Sequence, residues 1–456
     1  MNHIEIAERL WEHGFSAYTV GGAVRDMFHS DNENIVHDFD IATRATPDDI
    51  ISLFKDRTVK LVGKSFGVVI IDGIEVATFR KDAYSDIKLR DAKKCEVTFS
   101  ETIEHDLERR DFTINALALC EKTGEIIDLH NGINDIKNCV IRFVGNSHKR
   151  IMEDPNRIIR ACRFLAKVEG TFAPETFEAL ASHAYLIEKY VAPERIRLEI
   201  IKAMEYEHPS LFFSALHSIG ALQYIFPEMV SCVDHLHGNH HAENVWEHMM
   251  LSGDHISSKF PLIRLASFLH DIGKPASFNK TDGTFLAHES FGKKILETRL
   301  ENLKFSKDEI SLITGLVRHH MYSTWKISPR AVRKIKKKLF DDNINVHDWL
   351  RIKVADRIGN INKEHWTFSH FREISELFLK DVHIDSGFDV KSLAISGGEL
   401  IKIFDLTPGL IVGNLQKHLL NFIIEEGFEY NTVDILLNES KKFLEESDER
   451  IYCKSS

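Results

Sequence analysis

The chain has 456 residues, of which 43% are hydrophobic and 28% charged, with a mean hydropathy of -0.20 and a formal net charge of -11. These values describe an ordinary globular protein of about three or four domains. The acidic balance argues against a protein that coats nucleic acid over its whole surface, while leaving room for a local basic track.

In chain order, Met1 to Phe15 carry Ile4, Ala7, Leu10 and Trp11 at helical spacing with acidic residues between them, which predicts a core-facing helix and not a cleaved signal. Next come Gly21-Gly22-Ala23-Val24-Arg25-Asp26 and Asp38-Phe39-Asp40. A glycine pair lets backbone N–H groups approach phosphates closely. On a strand, Asp38 and Asp40 share one face while Phe39 and Ile41 take the other. Two carboxylates on one face repel unless a hard cation lies between them, and Mg²⁺ suits that place because it binds one or two carboxylates plus water and substrate phosphates. A lone Asp-x-Asp is most often a solvated strand end. Here the apolar flanks Ile35, Val36, Ile41 and Ala42 predict a strand, and the combination reads as nucleotidyl transfer.

Thr46-Pro47-Asp48-Asp49 supplies a helix cap, a first-turn proline and first-turn acids. Asp72-Gly73, between Val68–Ile71 and Ile74–Phe79, predicts a hairpin. From Asp154 the pattern turns helical, with Asp154 as cap, Pro155 as first residue and Ile158, Cys162 and Leu165 as an apolar stripe. Two stretches break the acidic trend: 142–167, with Lys149, Arg150, Arg157, Arg160 and Arg163, and 326–338, with Arg330, Arg333, Lys334, Lys336, Lys337 and Lys338. Both are candidate phosphate contacts, set against a plain solvated helix face. Six cysteines with no CxxC pair predict a reducing compartment and no structural zinc, and the lack of a long apolar run predicts a cytoplasmic protein without membrane contact.

Five motifs occur in order: Gly21-Gly22-x-Val24-Arg25-Asp26, Asp38-x-Asp40, Arg109-Arg110-Asp111-Phe112-Thr113-Ile114-Asn115-Ala116-Leu117, Glu153-Asp154-x-x-Arg157 and Glu194-Arg195-Ile196-Arg197-x-Glu199. In this the chain resembles the class II tRNA nucleotidyltransferase and bacterial poly(A) polymerase family, of the type that carries an HD domain. The resemblance implies an α+β fold: an N-terminal polymerase-β-like nucleotidyltransferase head followed by an all-α neck, body, HD domain and tail. The expected divisions are 1–138, 139–205, 206–239, 240–370 and 371–456. It further implies CCA addition to tRNA 3′ ends from CTP and ATP, with Asp38 and Asp40 as the catalytic Mg²⁺ ligands. Gly21, Gly22 and Arg25 would hold the triphosphate, Arg110 and Asp111 the ribose, and Asp154 with Arg157 the incoming base. Asn115, Arg160 and Arg163 complete the expected nucleotide-binding set. Asp154 and Arg157 are three apart at a helix start, so they share a face and together offer acceptors and donors to a Watson–Crick edge; the plain alternative is a surface ion pair. Glu75 is a candidate third carboxylate, against a solvent-facing strand residue.

Two stretches bear on the choice of activity. The family's loop of Tyr-Ser-Asp-Gly-Arg type reads Tyr84-Ser85-Asp86-Ile87-Lys88-Leu89-Arg90-Asp91 here; the length of loop 84–98 suits full CCA addition, while its altered middle bears on the switch from C to A. Leu61-Val62-Gly63-Lys64-Ser65-Phe66-Gly67 resembles the CCA-adding version and not the poly(A) polymerase one. The alternatives are a poly(A) polymerase or A-adding enzyme, and an HD phosphohydrolase whose transferase domain only binds RNA.

A second constellation comprises His248, His270-Asp271-Ile272-Gly273-Lys274, His288, His319-His320 and Asp356. It resembles the HD phosphohydrolase family, which implies His248, His270, Asp271 and Asp356 as ligands of a divalent metal such as Mg, Mn or Ni. His288 and His319 would be a second-metal or phosphate-binding pair, and hydrolysis of 2′,3′-cyclic phosphates or phosphomonoesters is the expected activity. An isolated histidine is more often a surface or core residue, a reading that suits His3, His183, His217 and His255. Ser396-Gly397-Gly398-Glu399-Leu400 and Pro408–Gly413 resemble the family's tRNA-binding tail, and Leu415, Leu419, Leu420 and Ile423 read as packing. Monomer and dimer both remain open.

Overall fold

The computed structural model describes residues 1–29, 39–62, 67–83, 96–233, 244–279, 281, 283–324, 327–361, 368–379 and 388–453. The chain forms two compact units, Met1–Ser231 with Asn302–Lys304, and Cys232–Glu301 with Phe305–Ser456. Asp38, Gly63 to Phe66, the loop stretch 84–95 and Lys326 lie outside the described residues.

Among the described residues, the first unit holds nine short strands in its N-terminal part: β1 (Ala17–Val20), β2 (Asp40–Thr43), β3 (Val59–Leu61), β4 (Val68–Ile71), β5 (Ile74–Thr78), β6 (Arg80–Ala83), β7 (Glu96–Phe99), β8 (Leu117–Leu119) and β9 (Ile126–Asp128). Seven of them form a mixed sheet in the order β3-β4-β5-β2-β1-β8-β9, and β6 pairs with β7. Local chemistry explains several elements. The helix His3–Glu12 starts with a capping box of Asn2 and Glu5, and the helix Pro47–Leu53 with one of Thr46 and Asp49. The β4–β5 turn places Asp72 at φ 47° and Gly73 at φ 96°, the left-handed pair that a two-residue hairpin requires.

Alternation along the strands gives the sheet two different faces. Ile41, Val69, Ile71 and Val76 bury against Ile6, Ala7, Leu10 and Ile50 from the two helices. On the other face, Val20 and Ala42 pack with Phe79, Ile103, Leu107 and Ala118. Asp40 has the same parity as Ala42, so it stands on this second face.

Beyond the sheet the first unit is mainly helical, with Ser147–Glu153, Asn156–Val168, Pro174–His183, Pro193–Ala203 and Ser210–Ser218 as its longer helices. Asp154 accepts a hydrogen bond from the Asn156 amide at 3.1 Å, so it caps as expected, although regular helix begins one residue after Pro155. The second unit is almost wholly helical. In its C-terminal part, Leu415, Leu419, Leu420 and Ile423 are buried, and Ser396 with Glu399 forms a capping box. On the basic helix Pro329–Asp341, Arg333 donates to the carbonyls of Ile424 and Glu425 at 2.7 Å each, and the exposed Arg330 and Lys334 pair with Glu425. These cations close the C-terminal end of the helix Leu410–Glu426, where unpaired carbonyls favour them. Among the described residues, no helix is long and apolar enough to cross a membrane, and Cys120, Cys139, Cys162 and Cys232 are free.

Candidate active sites

The sheet delivers the first site by register. Asp40 opens β2 and pairs with Val20 on β1 and Glu75 on β5. Partners in neighbouring strands point to one side, so Glu75 stands next to Asp40, and both line the same cavity. Gly21 follows Val20 with φ 72°; a Cβ added there would stand 3.0 Å from Nη1 of Arg110 and 3.9 Å from Oδ2 of Asp40. The turn therefore needs glycine for both its backbone angle and its clearance. A donor set of carboxylate oxygens alone fits a hard divalent cation such as Mg²⁺.

Around these carboxylates lies a cavity of about 660 Å³ lined, among the described residues, by ten arginines and lysines and four aspartates and glutamates. In a chain of net charge -11 this is a local inversion of sign. Its lining includes Gly21, Gly22, Arg25, Asp40, Glu75, Arg110, Asp111, Asn115, Asp154, Arg157, Arg160 and Arg163. Every described candidate of the first site is thus in one place.

A polar web fixes these side chains. Arg25 donates to Asp26 at 2.8 Å and to Oδ1 of Asn115 at 2.6 Å. Asn115 donates to Asp111 at 3.1 Å, and Arg160 donates to Asp111 at 2.9 and 2.5 Å. Burial pushes the Asp111 carboxyl up, but the charge and hydrogen bonds of Arg160 together with the Asn115 bond outweigh it and hold the group at about 2. Arg109 and Arg110 both clasp the fully buried Asp106, and Arg163 pairs with Glu199 and with the Tyr206 hydroxyl. Asp106, Glu199 and Tyr206 were not anticipated from sequence. Glu199 lies within a motif quoted above, but nothing local in the sequence ties it to Arg163.

Asp154 and Arg157 both line the cavity, yet the hydrogen bonds that hold them run elsewhere. Asp154 accepts two bonds from Arg195, at 2.9 and 2.7 Å, while Arg157 donates to Glu153 at 2.7 Å and to the Arg150 carbonyl at 2.8 Å. Burial raises the Asp154 carboxyl, but Arg195 more than compensates and the group lies below its ordinary value. The base-reading candidates are thus two adjacent carboxylate–guanidinium pairs, with Arg195 and Glu153 as members not singled out before.

In the second unit, Asp271 occupies the centre of the histidine cluster. Its Oδ2 lies 3.3 Å from His270 Nε2, 3.7 Å from His248 Nε2 and 2.5 Å from Lys274 Nζ. Its Oδ1 lies 3.3 Å from His288 Nε2 and 3.5 Å from His320 Nε2. His248 Nε2 is also 3.1 Å from Asp356 Oδ1. Two groups, His248-His270-Asp271 and Asp271-His288-His320, each bring their ligand atoms within 4.8 Å of one another. Imidazole nitrogens with a carboxylate shared between them fit one or two divalent transition-metal ions.

His320, not His319, therefore completes the second group. The expected His319 turns away: its Nε2 lies 2.6 Å from Asp342 Oδ2 and its Nδ1 3.0 Å from the Tyr322 hydroxyl. Neighbours on a helix point about 100° apart, so only one of the doublet faces the cluster. Backbone carbonyls orient the rings, with Nδ1 of His270, His288 and His320 at 2.7, 2.9 and 2.7 Å from the carbonyls of Ser267, Phe285 and Val317. Burial drives His320 down to about 4, the nearby His270 and His288 add to the effect and Asp271 opposes it, so the ring is neutral and keeps a lone pair for a metal. Burial also penalises charge on Asp356, but His248 and Lys353 hold it well below the ordinary carboxylate range. Gly273 makes the approach of His288 feasible, because a Cβ there would come within 2.1 Å of the His288 carbonyl oxygen.

A glycine turn beside paired carboxylates on a mixed sheet, within a cationic cavity, defines a nucleotidyltransferase head; the histidine and aspartate cluster defines an HD domain. Comparison with known proteins agrees. Residues 17–142 match the family described as "Poly A polymerase head domain", 171–232 "Probable RNA and SrmB- binding site of polymerase A" and 239–361 "HD domain". The chain is 36% identical over 334 residues to the CCA-adding enzyme of Levilactobacillus brevis, covering 71% of this chain and 74% of that enzyme. It is 28% identical over 455 residues to that of Ligilactobacillus salivarius, covering 97% and 96%. A crystal structure of the Bacillus stearothermophilus CCA-adding enzyme in complex with CTP shares the fold, with a TM-score of 0.67 at 23% identity over 97% of this chain and 98% of that one. The chain belongs to the CCA-adding enzyme family and is a nucleotidyltransferase.

Proposed function

We propose that this protein adds C, C and A to tRNA 3′ ends from CTP and ATP without a nucleic-acid template. The observation that carries the reading is the placement of Asp40 and Glu75 in register beside the Gly21 turn, within a cavity of inverted charge. In the reaction, the RNA 3′ oxygen forms a bond to the α-phosphorus of the nucleotide while the bond to the leaving pyrophosphate breaks. Arg25 and Arg110, with the amides of Gly21 and Gly22, would hold the triphosphate; Asp111 and Asn115 would face the ribose. Asp154 and Arg157 would present an acceptor and a donor to the base edge, so that protein side chains choose C or A. Asp38, Asp40 and Glu75 would hold Mg²⁺, which would favour loss of the hydroxyl proton and stabilise charge on the leaving pyrophosphate. The neck, body and tail divisions stated above belong to this reading, as does a cytoplasmic location alongside tRNA and nucleotides.

The test is to incubate the protein with tRNA transcripts lacking CCA, ATP, CTP and Mg²⁺, and to sequence the 3′ ends beside an Asp40→Ala control. Addition of C-C-A that stops there is expected. Long A tails, or a single A on transcripts ending in CC with no C added, would overturn the proposal.

We further propose that the HD domain hydrolyses phosphoesters at RNA ends, such as 2′,3′-cyclic phosphates or phosphomonoesters. His248, His270, Asp271 and Asp356 would hold one divalent ion of the Mg, Mn or Ni type, and Asp271, His288 and His320 a second; such ions lower the pKa of water and stabilise charge on phosphoryl oxygens. Protein stripped of metal and reloaded should turn over these substrates, and no turnover with any of the three metals would exclude the activity.

A further inference from the structure

We infer that Phe164 is a positioning residue of the nucleotide cavity, its ring gathering three guanidinium groups into one cluster. The inference rests on reading this cavity as the nucleotide site. The guanidinium carbons of Arg163, Arg160 and Arg25 lie 4.3, 5.3 and 5.4 Å from the ring centroid. All three are inside the roughly 6 Å within which the negative face of an aromatic ring attracts a cation. Arg160 and Arg163 share the helix of Phe164, whereas Arg25 comes from the helix after the glycine turn.

The carboxylate partners gather only part of this cluster. Glu199 pairs with Arg163 and also lies 3.7 Å from Arg160, which pairs with Asp111 as well, whereas Arg25 pairs with Asp26 on another segment. Three like charges this close repel one another, and the ring adds an attractive centre common to all three before any phosphate arrives. The ring is itself immobilised. It is 6% exposed and meets Phe112 edge to face at 5.5 Å and 66°, and Phe112 in turn packs on Phe143 at 5.0 Å. Swinging Phe164 out would unpack that aromatic stack. The cations are thus preorganised, and their attraction for a triphosphate is not spent on assembling them.

The test uses the full chain with Phe164→Leu, which retains apolar bulk without a ring, and Phe164→Tyr, which retains the ring. Calorimetry with CTP and with ATP, each with Mg²⁺, is run beside steady-state incorporation into tRNA lacking CCA. For Phe164→Leu, Kd and KM for both nucleotides should rise about five- to tenfold, the combined loss of three weak cation–π contacts, with kcat changed less. Phe164→Tyr should return both constants to near the wild-type values. A Phe164→Leu protein that melts like wild type and binds both nucleotides as well would overturn the inference, and so would equal impairment of the Leu and Tyr variants. If Phe164→Leu fails to fold, Phe164→Met is the ringless variant and must show the same loss. Wild-type protein that binds neither CTP nor ATP would instead refute the reading of the cavity itself, and the inference with it.

Discussion

In and around the cavity of the first unit, Asp26, Asp111, Glu153, Asp154 and Glu199 are each met by a guanidinium, whereas in the second unit the carboxylate of Asp271 is surrounded by four imidazoles and a lysine. The difference follows from the two kinds of base. Arginine is charged at every pH a protein survives, so the first site keeps an excess of positive charge that only an anion can balance. Burial keeps His320 neutral with a lone pair to offer, while at His288 burial is outweighed by Asp271 and the pKa is raised, so the second site takes a cation in competition with a proton. One protein therefore carries an anion-seeking site and a cation-seeking site, each expected to work on phosphate by its own chemistry.

The most direct way to break this comparison is a double dissociation. Asp40→Ala should reduce nucleotide incorporation about a thousandfold or more and leave phosphoester hydrolysis in place, since it removes a carboxylate from the reacting centre. Asp271→Ala should do the reverse. If either substitution silences both activities in a protein that still melts cooperatively, the two sites are not independent.

Next in size is the reassignment within the histidine doublet. His320→Ala should lower divalent-metal affinity about ten- to a hundredfold, as loss of a ligand or its close support does. His319→Ala should lower it less, because that side chain bonds Asp342 and Tyr322 instead. Metal content after dialysis against a graded chelator reports both, and a greater loss from His319→Ala would restore the sequence-based assignment.

The arginine web predicts a pH dependence. The Asp111 carboxyl is depressed from 3.8 to about 2 in the folded protein. A depressed carboxyl stabilises the fold in full above its unfolded value and loses that contribution as pH falls through the folded one. Asp111→Asn should therefore cost about 2 kcal/mol at pH 7, and the gap should close as pH falls from about 4 toward 2. Urea unfolding of both proteins across this range checks it; a gap independent of pH would mean that Asp111 acts through packing alone.

Much of this was legible because it is local. The Thr46-Pro47 cap and the Asp72-Gly73 turn lie within a few residues of what they shape, and both appear as expected. The glycine pair and Asp40 were also readable, because strand alternation fixes the face of a residue. What was illegible lies across long separations or depends on helical phase. The bonds from Arg195 to Asp154 span 41 residues, and the bond from Arg163 to Glu199 spans 36. Spacing could not choose between His319 and His320, since one residue turns a side chain by about 100°. The partners that part of the basic run at 330–338 takes were illegible for a related reason: Arg330, Arg333 and Lys334 find them in Ile424 and Glu425, roughly ninety residues on.

The smallest effect tests whether the anion-seeking site also reads a base. An ionised carboxylate has about four acceptor positions. For Asp154, which lines the cavity, Arg195 takes two and the Asn156 amide a third, which leaves about one acceptor for a base. Cytosine and adenine carry an exocyclic amino group where uracil and guanine carry a carbonyl, so a fixed acceptor favours the first two. The pair is partly exposed, with Arg195 at 48% and Asp154 at 30%, so Arg195→Ala should change stability by less than about 1 kcal/mol. Without Arg195 the carboxylate can rotate, and the preference for CTP over UTP in kcat/KM should fall about fivefold, the value of one hydrogen bond. Arg195→Lys, which cannot hold both oxygens in a fork, should recover only part of that preference. If discrimination survives Arg195→Ala but collapses in Asp154→Ala, the helix cap alone orients the carboxylate, and Arg195 serves another purpose in the cavity.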